Sequence, residues 1–516
     1  MIDQFPLMLF SGLGGSLLLL LVGSVSPLRK HQLLLSAAWT TLLTVLWLLV
    51  PVEGRWVLSV WAPSSVLEGW LIADITPSLW LCGVAIGLMI SGALWVSVAE
   101  RRYELPLTGA LLVIFLTITF VMLLSGTVLM TLAMWAAFDL FWLVSRLMAG
   151  GDGNRVLWSA ALHGTSSLLL WGVSLLMLER GESSLWWLMN PSQPALILLT
   201  AAGLIRFGFY PFQIVFPATV SSSRTLTLIG LMGPLSGVSL LYRVFDLPGA
   251  ENLSSIFVVW GSISVLWLGV IAFVNSDRRA SSLWGARAVL LAIVTASIAS
   301  HFSSWLLIGA VAWLSTAALL ISTRSWFRRQ PFWSLLRGFA ICLLLGAPIS
   351  VLGQTYSLSL TSVLIPQIVM VIGLALANGS LMDALSQTAQ ARIDEPWPAQ
   401  RITRIVGFLM IVISLVVLTP LAPQVRFTWM AFGLWGVAFL LGVALATRRD
   451  ILITSIQRWI PALNFLDMSW AYRSIWQGSE NLFGILRVTS EVLEGSGSIL
   501  WSVLILLLVL MIAGSR

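Results

Sequence analysis

Three side chains in this sequence could hold or move charge inside a membrane: Asp139, His163 and Arg206. Each lies within a long apolar run, where an ionisable group costs a few kcal/mol or more unless it faces protein or water. Proton relays through a membrane are built from buried Lys, Glu, Asp or His, which exchange protons when burial and neighbours tune them. Of the 21 carboxylates, only Asp139 sits clearly inside a predicted span, and the single lysine, Lys30, is in a loop. Arg206 differs in kind. A guanidinium stays protonated across any physiological range, so Arg206 can hold a carboxylate but cannot pass a proton on.

Arg206 lies in the stretch that organises the chain, Gly203 to Arg243: GLIRFGFYPFQIVFPATVSSSRTLTLIGLMGPLSGVSLLYR. Pro211 and Pro217 interrupt it, and because proline removes a backbone donor and clashes with the preceding turn, a helix must break there. Broken helices at membrane depth occur where backbone is buried in protein or lines a cavity. A second interruption, LLLGAPISVLG around Pro348, stands in the other half of the chain. Paired proline-broken segments are the best sequence pointer to a transporter's central path. Asp139, in MTLAMWAAFDLFWLVSR, lies four residues after Trp135 and three after Ala136, about one turn along the same helical face.

These residues resemble the antiporter-like subunits of respiratory complex I and of multisubunit cation/proton antiporters. The family's seventh helix carries a central Lys, followed by a Pro-Phe-His-x-Trp-Leu-Pro break and a helix with a polar His or Lys. Here Arg206 takes the Lys position, Pro211-Phe212-Gln213 the Pro-Phe-His, and Pro217 the second Pro, while Ile229 falls where the polar residue should be. The family's fifth helix carries a Trp-Glu pair whose Glu partners that Lys. Trp135 is followed by Ala136 instead, and Asp139 could supply the missing carboxylate and pair with Arg206. In WLLIGAVAWLSTAALLIS, where the resemblance implies a second Lys, no residue is ionisable, and Trp313, Ser315 and Thr316 are the polar features at its centre. The resemblance therefore implies the family's frame with a degenerate proton path: two inverted five-helix repeats, each with one broken helix. His163, beside Gly164-Thr165-Ser166, reads as a hydrogen-bonded packing histidine ahead of a relay, and His301 as interfacial. A static Asp139–Arg206 brace outranks an ion-path role for Arg206.

The elements that must position these residues follow from composition. With 58% hydrophobic and 9% charged residues in 516, the chain reads as an all-α polytopic membrane protein with room for about 16 spans of ~20 residues. Apolar segments fall near 7–26, 32–51, 79–99, 106–125, 127–145, 156–178, 195–217, 224–243, 254–275, 284–299, 303–323, 334–353, 361–382, 404–422, 428–446 and 495–513. A net charge of +7 invites a nucleic-acid partner, but the basic residues fall between apolar segments, and membrane orientation accounts for them better. Loops after odd-numbered spans hold 22 basic residues, against five on the other side. By the positive-inside rule this places the first set in the cytoplasm and both termini outside a cell inner (cytoplasmic) membrane. The N-terminus, MIDQFPLMLF, lacks a basic region and reads as a retained first span. Cys82 and Cys342 read as buried packing residues, with no metal-ligand spacing.

Two stretches do not read as spans. Residues 52–78 are Trp-rich and mildly polar, as an extracytoplasmic excursion would be. Residues 447–494 are too polar to cross and amphipathic enough to lie along the interface; as a helix they would reach on the order of 70 Å. The expected divisions are a transmembrane core over 1–446, a lateral amphipathic helix over 447–494 and a terminal anchor over 495–516. The longest subunit type of the family ends this way. The expected role is an antiporter-like subunit, mainly structural, in an ion-pumping assembly of the NADH/quinone or hydrogenase type. Its partners would be other membrane subunits and the lipid bilayer, with protons or small cations as cargo if a path survives. No nucleotide loop, haem motif or cluster motif suggests a cofactor or a redox site of its own. The alternatives are an active proton or cation translocator using Asp139, Arg206 and His163, and a membrane partner in an energy-coupled inorganic-carbon transporter. Cysteines introduced at Trp326 and Pro396 are expected to react with a membrane-impermeant thiol reagent from the cytoplasmic side only; labelling of either from outside would refute this orientation.

Overall fold

A computed structural model describes residues 4–25, 29–57, 72–99, 106–150, 153–216, 223–275, 277, 278–301, 303–323, 331–346, 352–353, 364–386, 398–421 and 429–456, with single positions 470, 474 and 477. The chain divides into two compact units, Met1–Arg449 and Asp450–Arg516. In the first, α1 (Gln4–Ser24), α2 (Gln32–Leu48), α3 (Pro77–Ala99), α4 (Pro106–Leu124), α5 (Val128–Met148) and α6 (Gly153–Arg180) precede a short α7 (Gln193–Phe207). There follow α8 (Arg224–Val244), α9 (Glu251–Val274), α10 (Arg278–Ala299), α11 (Ser303–Ser322), α12 (Pro331–Leu344), α13 (Leu364–Ser386), α14 (Pro398–Leu418) and α15 (Trp429–Thr447). A further helix, α16, covers Arg449–Ile456, beginning at the last residue of the first unit. Among the described residues, 11 helices are long and apolar enough to cross a membrane, and α2, α7 and α15 are shorter apolar helices. This is a multi-pass, helical membrane protein. Each of the first fifteen apolar segments read from the sequence falls on a helix, while the sixteenth, the rest of the lateral stretch, Pro217 and Pro348 lie outside the described residues.

Exposure sorts the helices. α4, α8, α10 and α11 are buried almost throughout, as helices apolar on every face must be. α1, α6 and α14 bury only one side. The outward leucines of α1 and α6, such as Leu17 and Leu168, have the apolar character that lipid requires. Burial against lipid-like surfaces supplies little net hydrophobic drive, so close backbone approach carries the packing. A Cβ on Gly269 of α9 would stand 2.4 Å from the carbonyl oxygen of Gly373 on α13, and one on Gly92 of α3 would stand 2.5 Å from that of Gly407 on α14. The two pairs are backbone-to-backbone contacts.

The broken segments follow a common design. α7 has 15 residues, about 22 Å at 1.5 Å per residue, too short to cross ~30 Å of hydrocarbon. It stops at Gly208, in the left-handed region with φ 75°, rather than at Pro211. A Cβ there would meet the Phe216 ring at 2.7 Å. The chain then runs through Tyr210-Pro211, a cis peptide, into a 3-10 turn at Phe212–Val215. That loop is held by α9: Ser264 Oγ accepts from the Tyr210 amide at 3.0 Å, and the Trp260 indole donates to the Tyr210 carbonyl. In the other half, α12 has 14 residues and is followed by Gly346, also left-handed at φ 73°.

Several expectations change. The stretch at 52–78 contains an antiparallel pair, β1 (Gly54–Val57) and β2 (Ile72–Ile75), with Gly54 opposite Ile75. Arg146, Arg287, Arg337, Arg404 and Arg449, counted as loop charges, are buried; all but Arg449 lie within membrane helices, and Arg449 opens α16. Arg287 sits over the rings of Phe216 and Trp284 at 4.8 and 4.6 Å, a contact that compensates a desolvated guanidinium. Arg243, assigned to the opposite side, is buried near the end of α8. Asp383 lies in the last turns of α13, one residue past the expected end of its span, and pairs with Arg449. Cys82 is buried, but Cys342 is exposed.

Introducing a side chain at a backbone contact should force helices apart. Gly373→Val is expected to destabilise the protein by about 1–3 kcal/mol, the usual cost of overpacking. Gly433→Ala, where a Cβ meets nothing within 4 Å, should be neutral or mildly stabilising. Thermal unfolding of both variants in the same lipid mimetic checks the pair.

Candidate functional site

The site lies where α5, α6, α7 and α8 meet. α5 begins at Thr127, whose side chain accepts from the Met130 amide at 3.0 Å and satisfies one of the free donors of the first turn. The helix buries Trp135, Phe138 and Trp142, and their spacing sets Asp139 beside that stripe, at the seam with α6. Gly203 of α7 and Gly237 of α8 allow the two helices to touch. A Cβ on Gly237 would stand 2.8 Å from the Gly203 carbonyl oxygen, and this proximity brings Ser236 within reach of Arg206.

Asp139 and Arg206 form the expected pair, Nη2 donating to Oδ2 at 2.5 Å. Arg206 is fully buried and Asp139 is 22% exposed. The guanidinium uses all three nitrogens: Nε donates to Ser166 Oγ at 3.0 Å, Nη1 to Ser236 Oγ at 3.3 Å, and Nη2 to Ser167 Oγ at 3.0 Å as well as to the carboxylate. Its flat face lies 3.8 Å from the Trp135 ring centroid, a cation–π contact strengthened by the absence of water. Arg206 also stands one residue from the C-terminus of α7, where the helix dipole favours positive charge.

The other carboxylate oxygen, Oδ1, is 2.8 Å from His163 Nδ1. His163 is 1% exposed, and its ring stacks on Trp142 at 5.9 Å between centroids. One carboxylate thus joins a guanidinium and an imidazole. The three residues singled out in the sequence are brought together. Sequence alone does not attach His163 to Asp139, nor does it place Ser166, Ser167, Ser236 and the face of Trp135 against Arg206. Serines at 166 and 167, three and four residues after His163 and so on its helical face, were the available signal. Pro211 adjoins the site through the chain reversal after α7 but contributes no atom to it.

Two further carboxylates form ion pairs apart from this cluster. Asp74 of β2 takes Arg55 at 3.1 Å and Arg243 at 3.3 Å, and Arg243 also donates to the Leu123 carbonyl at 3.0 Å. These bonds fix the hairpin to the ends of α4 and α8. Arg449 pairs with Asp383 and donates to the Phe273 and Asn275 carbonyls at 3.1 and 2.8 Å. α11 carries no ionisable side chain; Ser315 and Thr316 are buried within it, and Ile229 of α8 is buried too. Among the described residues, no three His, Cys, Asp or Glu side chains gather as a metal set.

No family model matches the sequence, and no curated protein does. Solved structures do share the fold. A chain of the Mrp complex from Dietzia sp. DQ12-45-1b superposes with a TM-score of 0.75 at 15% identity, over 99% of this chain and 63% of that one. A chain of the membrane-bound sulfane sulfur reductase, an archaeal respiratory membrane complex, gives 0.73 at 14% identity over 98% and 100% of the two chains. A chain of respiratory complex I from Thermus thermophilus with bound NADH gives 0.62 at 15% identity, over 85% and 99%. The fold is shared with membrane-embedded chains of the Mrp complex, the sulfane sulfur reductase and respiratory complex I, as the sequence resemblance implied. The chain spans about 63% of the length of the Mrp chain it matches.

The charge cluster makes a stability prediction. Asp139→Asn leaves a buried guanidinium without its counter-charge, and Arg206→Met leaves Asp139 with a histidine alone. Each is expected to cost on the order of 3–5 kcal/mol, the typical result of breaking a buried pair. The double variant should recover most of that loss. Unfolding measurements on the three variants would show additive losses if the pair were not coupled.

Proposed function

We propose that this chain is a membrane subunit of a complex I-related, multisubunit assembly, where it occupies an antiporter-like position and serves mainly as structure. The fold supports the setting, and the state of Arg206 supports the role. Every nitrogen of that guanidinium is bonded and its face is covered by Trp135. A permanently charged group fixed by five contacts braces α5, α6, α7 and α8; it does not exchange protons or move with an ion. The absence of ionisable groups along α11 supports the same reading for the second half of the chain. The partners are other membrane subunits, with residues 447–494 as a lateral brace against them, in the inner (cytoplasmic) membrane with both termini outside.

A second reading, proton or cation translocation through the first half, is favoured by one observation, the His163 contact with Asp139. A double variant, Asp139→Asn with Arg206→Met, separates the two in the intact host complex. The structural role requires that the complex assembles and its ion pumping persists. Normal assembly with pumping abolished would establish translocation instead. Deleting 450–490 should leave the chain inserted but lose the subunits that co-purify with it, and the identity of those subunits distinguishes a redox assembly from an inorganic-carbon system.

A further inference from the structure

The Asp139–His163 contact determines more than the position of a packing residue. Nδ1 faces a carboxylate oxygen at 2.8 Å, and a carboxylate paired with a guanidinium is an acceptor only. Nδ1 must therefore carry the hydrogen, and the bond made by one ring nitrogen decides the state of the other. In the neutral ring Nε2 is then left with its lone pair. It is buried, and among the described residues no hydrogen-bonding group reaches it. A packing histidine would satisfy both nitrogens or turn one to solvent, since a buried polar atom left unpaired is destabilising. The arrangement instead matches a base held ready by a carboxylate on its far side.

We propose that His163 Nε2 is a proton-binding atom, the group within the Asp139–Arg206–His163 cluster that can take up and release a proton. Asp139 is committed to Arg206, and Arg206 does not titrate. The charged groups facing the ring are Asp139 and Arg146 of α5 and Arg206 of α7; the 3-10 turn at Phe212–Val215, which also packs on α6, contains no ionisable residue. Uptake adds one proton to Nε2 and gives an imidazolium whose Nδ1–H still points at Asp139. The carboxylate then serves two cations rather than one, so proton binding and the hold on Arg206 are linked. Proton binding at one atom does not require a path across the membrane. The site therefore stands whether the chain proves structural or translocating.

The chain has three histidines, which makes the test direct. In full-length protein labelled with 15N-histidine and held in lipid nanodiscs, His31→Gln and His301→Asn leave His163 as the sole signal. Asn is chosen at 301 because that position has φ 57°, which Asn tolerates. Near neutral pH the ring should show a protonated Nδ1 and an unprotonated Nε2. Lowering the pH should convert Nε2 reversibly to the protonated form while Nδ1 is unchanged. An Nε2–H tautomer, or an Nε2 that takes no proton across the range in which the protein stays folded, would overturn the assignment. If the double background fails to fold, subtracting the spectrum of His163→Gln from that of the unmodified chain gives the same readout. Asp139→Leu with Arg206→Met should abolish the Nδ1–H preference; retention of that preference would remove Asp139 as its cause.

Discussion

The structure depends on keeping one guanidinium out of water. Arg206 is fully buried in a segment too apolar to solvate it, and the effective cost of desolvating such an ion is several kcal/mol. That cost is offset only when each donor finds an acceptor, and the acceptors come from three other helices. Asp139 arrives on α5, Ser166 and Ser167 on α6, Ser236 on α8. The relative rotation and depth of four helices are thus constrained by one side chain. Apolar packing alone would tolerate small slips along the helix axes; a set of bonds between 2.5 and 3.3 Å does not.

The same economy governs the rest of the bundle. Polar groups buried in the membrane domain are satisfied locally wherever possible: serine and threonine hydroxyls return to carbonyls three or four residues back, as Ser97 does to Ala93 and Thr316 to Ala312. Long-range ion pairs concentrate at three places, the Arg206 cluster, the Asp74–Arg243 pair and the Asp383–Arg449 pair. Elsewhere helices are joined by glycine contacts and by indole donors such as Trp39 to the Ser11 carbonyl and Trp47 to the Trp80 carbonyl, both at 2.9 Å. The left-handed glycines at 208 and 346 end the two short helices. Beside each break an indole from another helix donates to a carbonyl, Trp260 to Tyr210 and Trp435 to Leu345, and such protein partners are the condition under which a helix can stop inside a membrane.

Much of this was legible in the sequence because hydropathy acts over whole helices. Twenty apolar residues in a row have few alternatives in a bilayer, so the helices fall where the runs fall. The Asp139–Arg206 pair was legible too, since two opposite charges at membrane depth have strong reason to meet. What escaped depended on rotation about helix axes and on helix ends. Which face of α6 turns towards α5 decides whether His163 reaches Asp139, and no single helix's periodicity sets that angle. Arg287 and Arg404 were read as loop residues because charge was equated with exposure, whereas aromatic faces and neighbouring helices cover them. Asp383 fell one residue outside a hydropathy window. The strands at 54–57 and 72–75 lack apolar alternation, and their pairing is fixed by Asp74 and by the backbone of Gly126, which donates to the Ile72 carbonyl at 2.7 Å.

The partial exposure of Asp139 makes the surrounding medium a participant in the site. Its carboxylate opens at the seam between α5 and α6, near the middle of a 21-residue helix. Acyl chains at that depth would leave the charge attraction to Arg206 almost unscreened, whereas a loosely packed surfactant layer admits water and raises the local dielectric constant. The strength of the ion pair is therefore a property of the solubilising environment as much as of the polypeptide. Extraction from lipid would weaken this contact before any other in the cluster, and native lipid would be the condition in which the four helices are held most firmly.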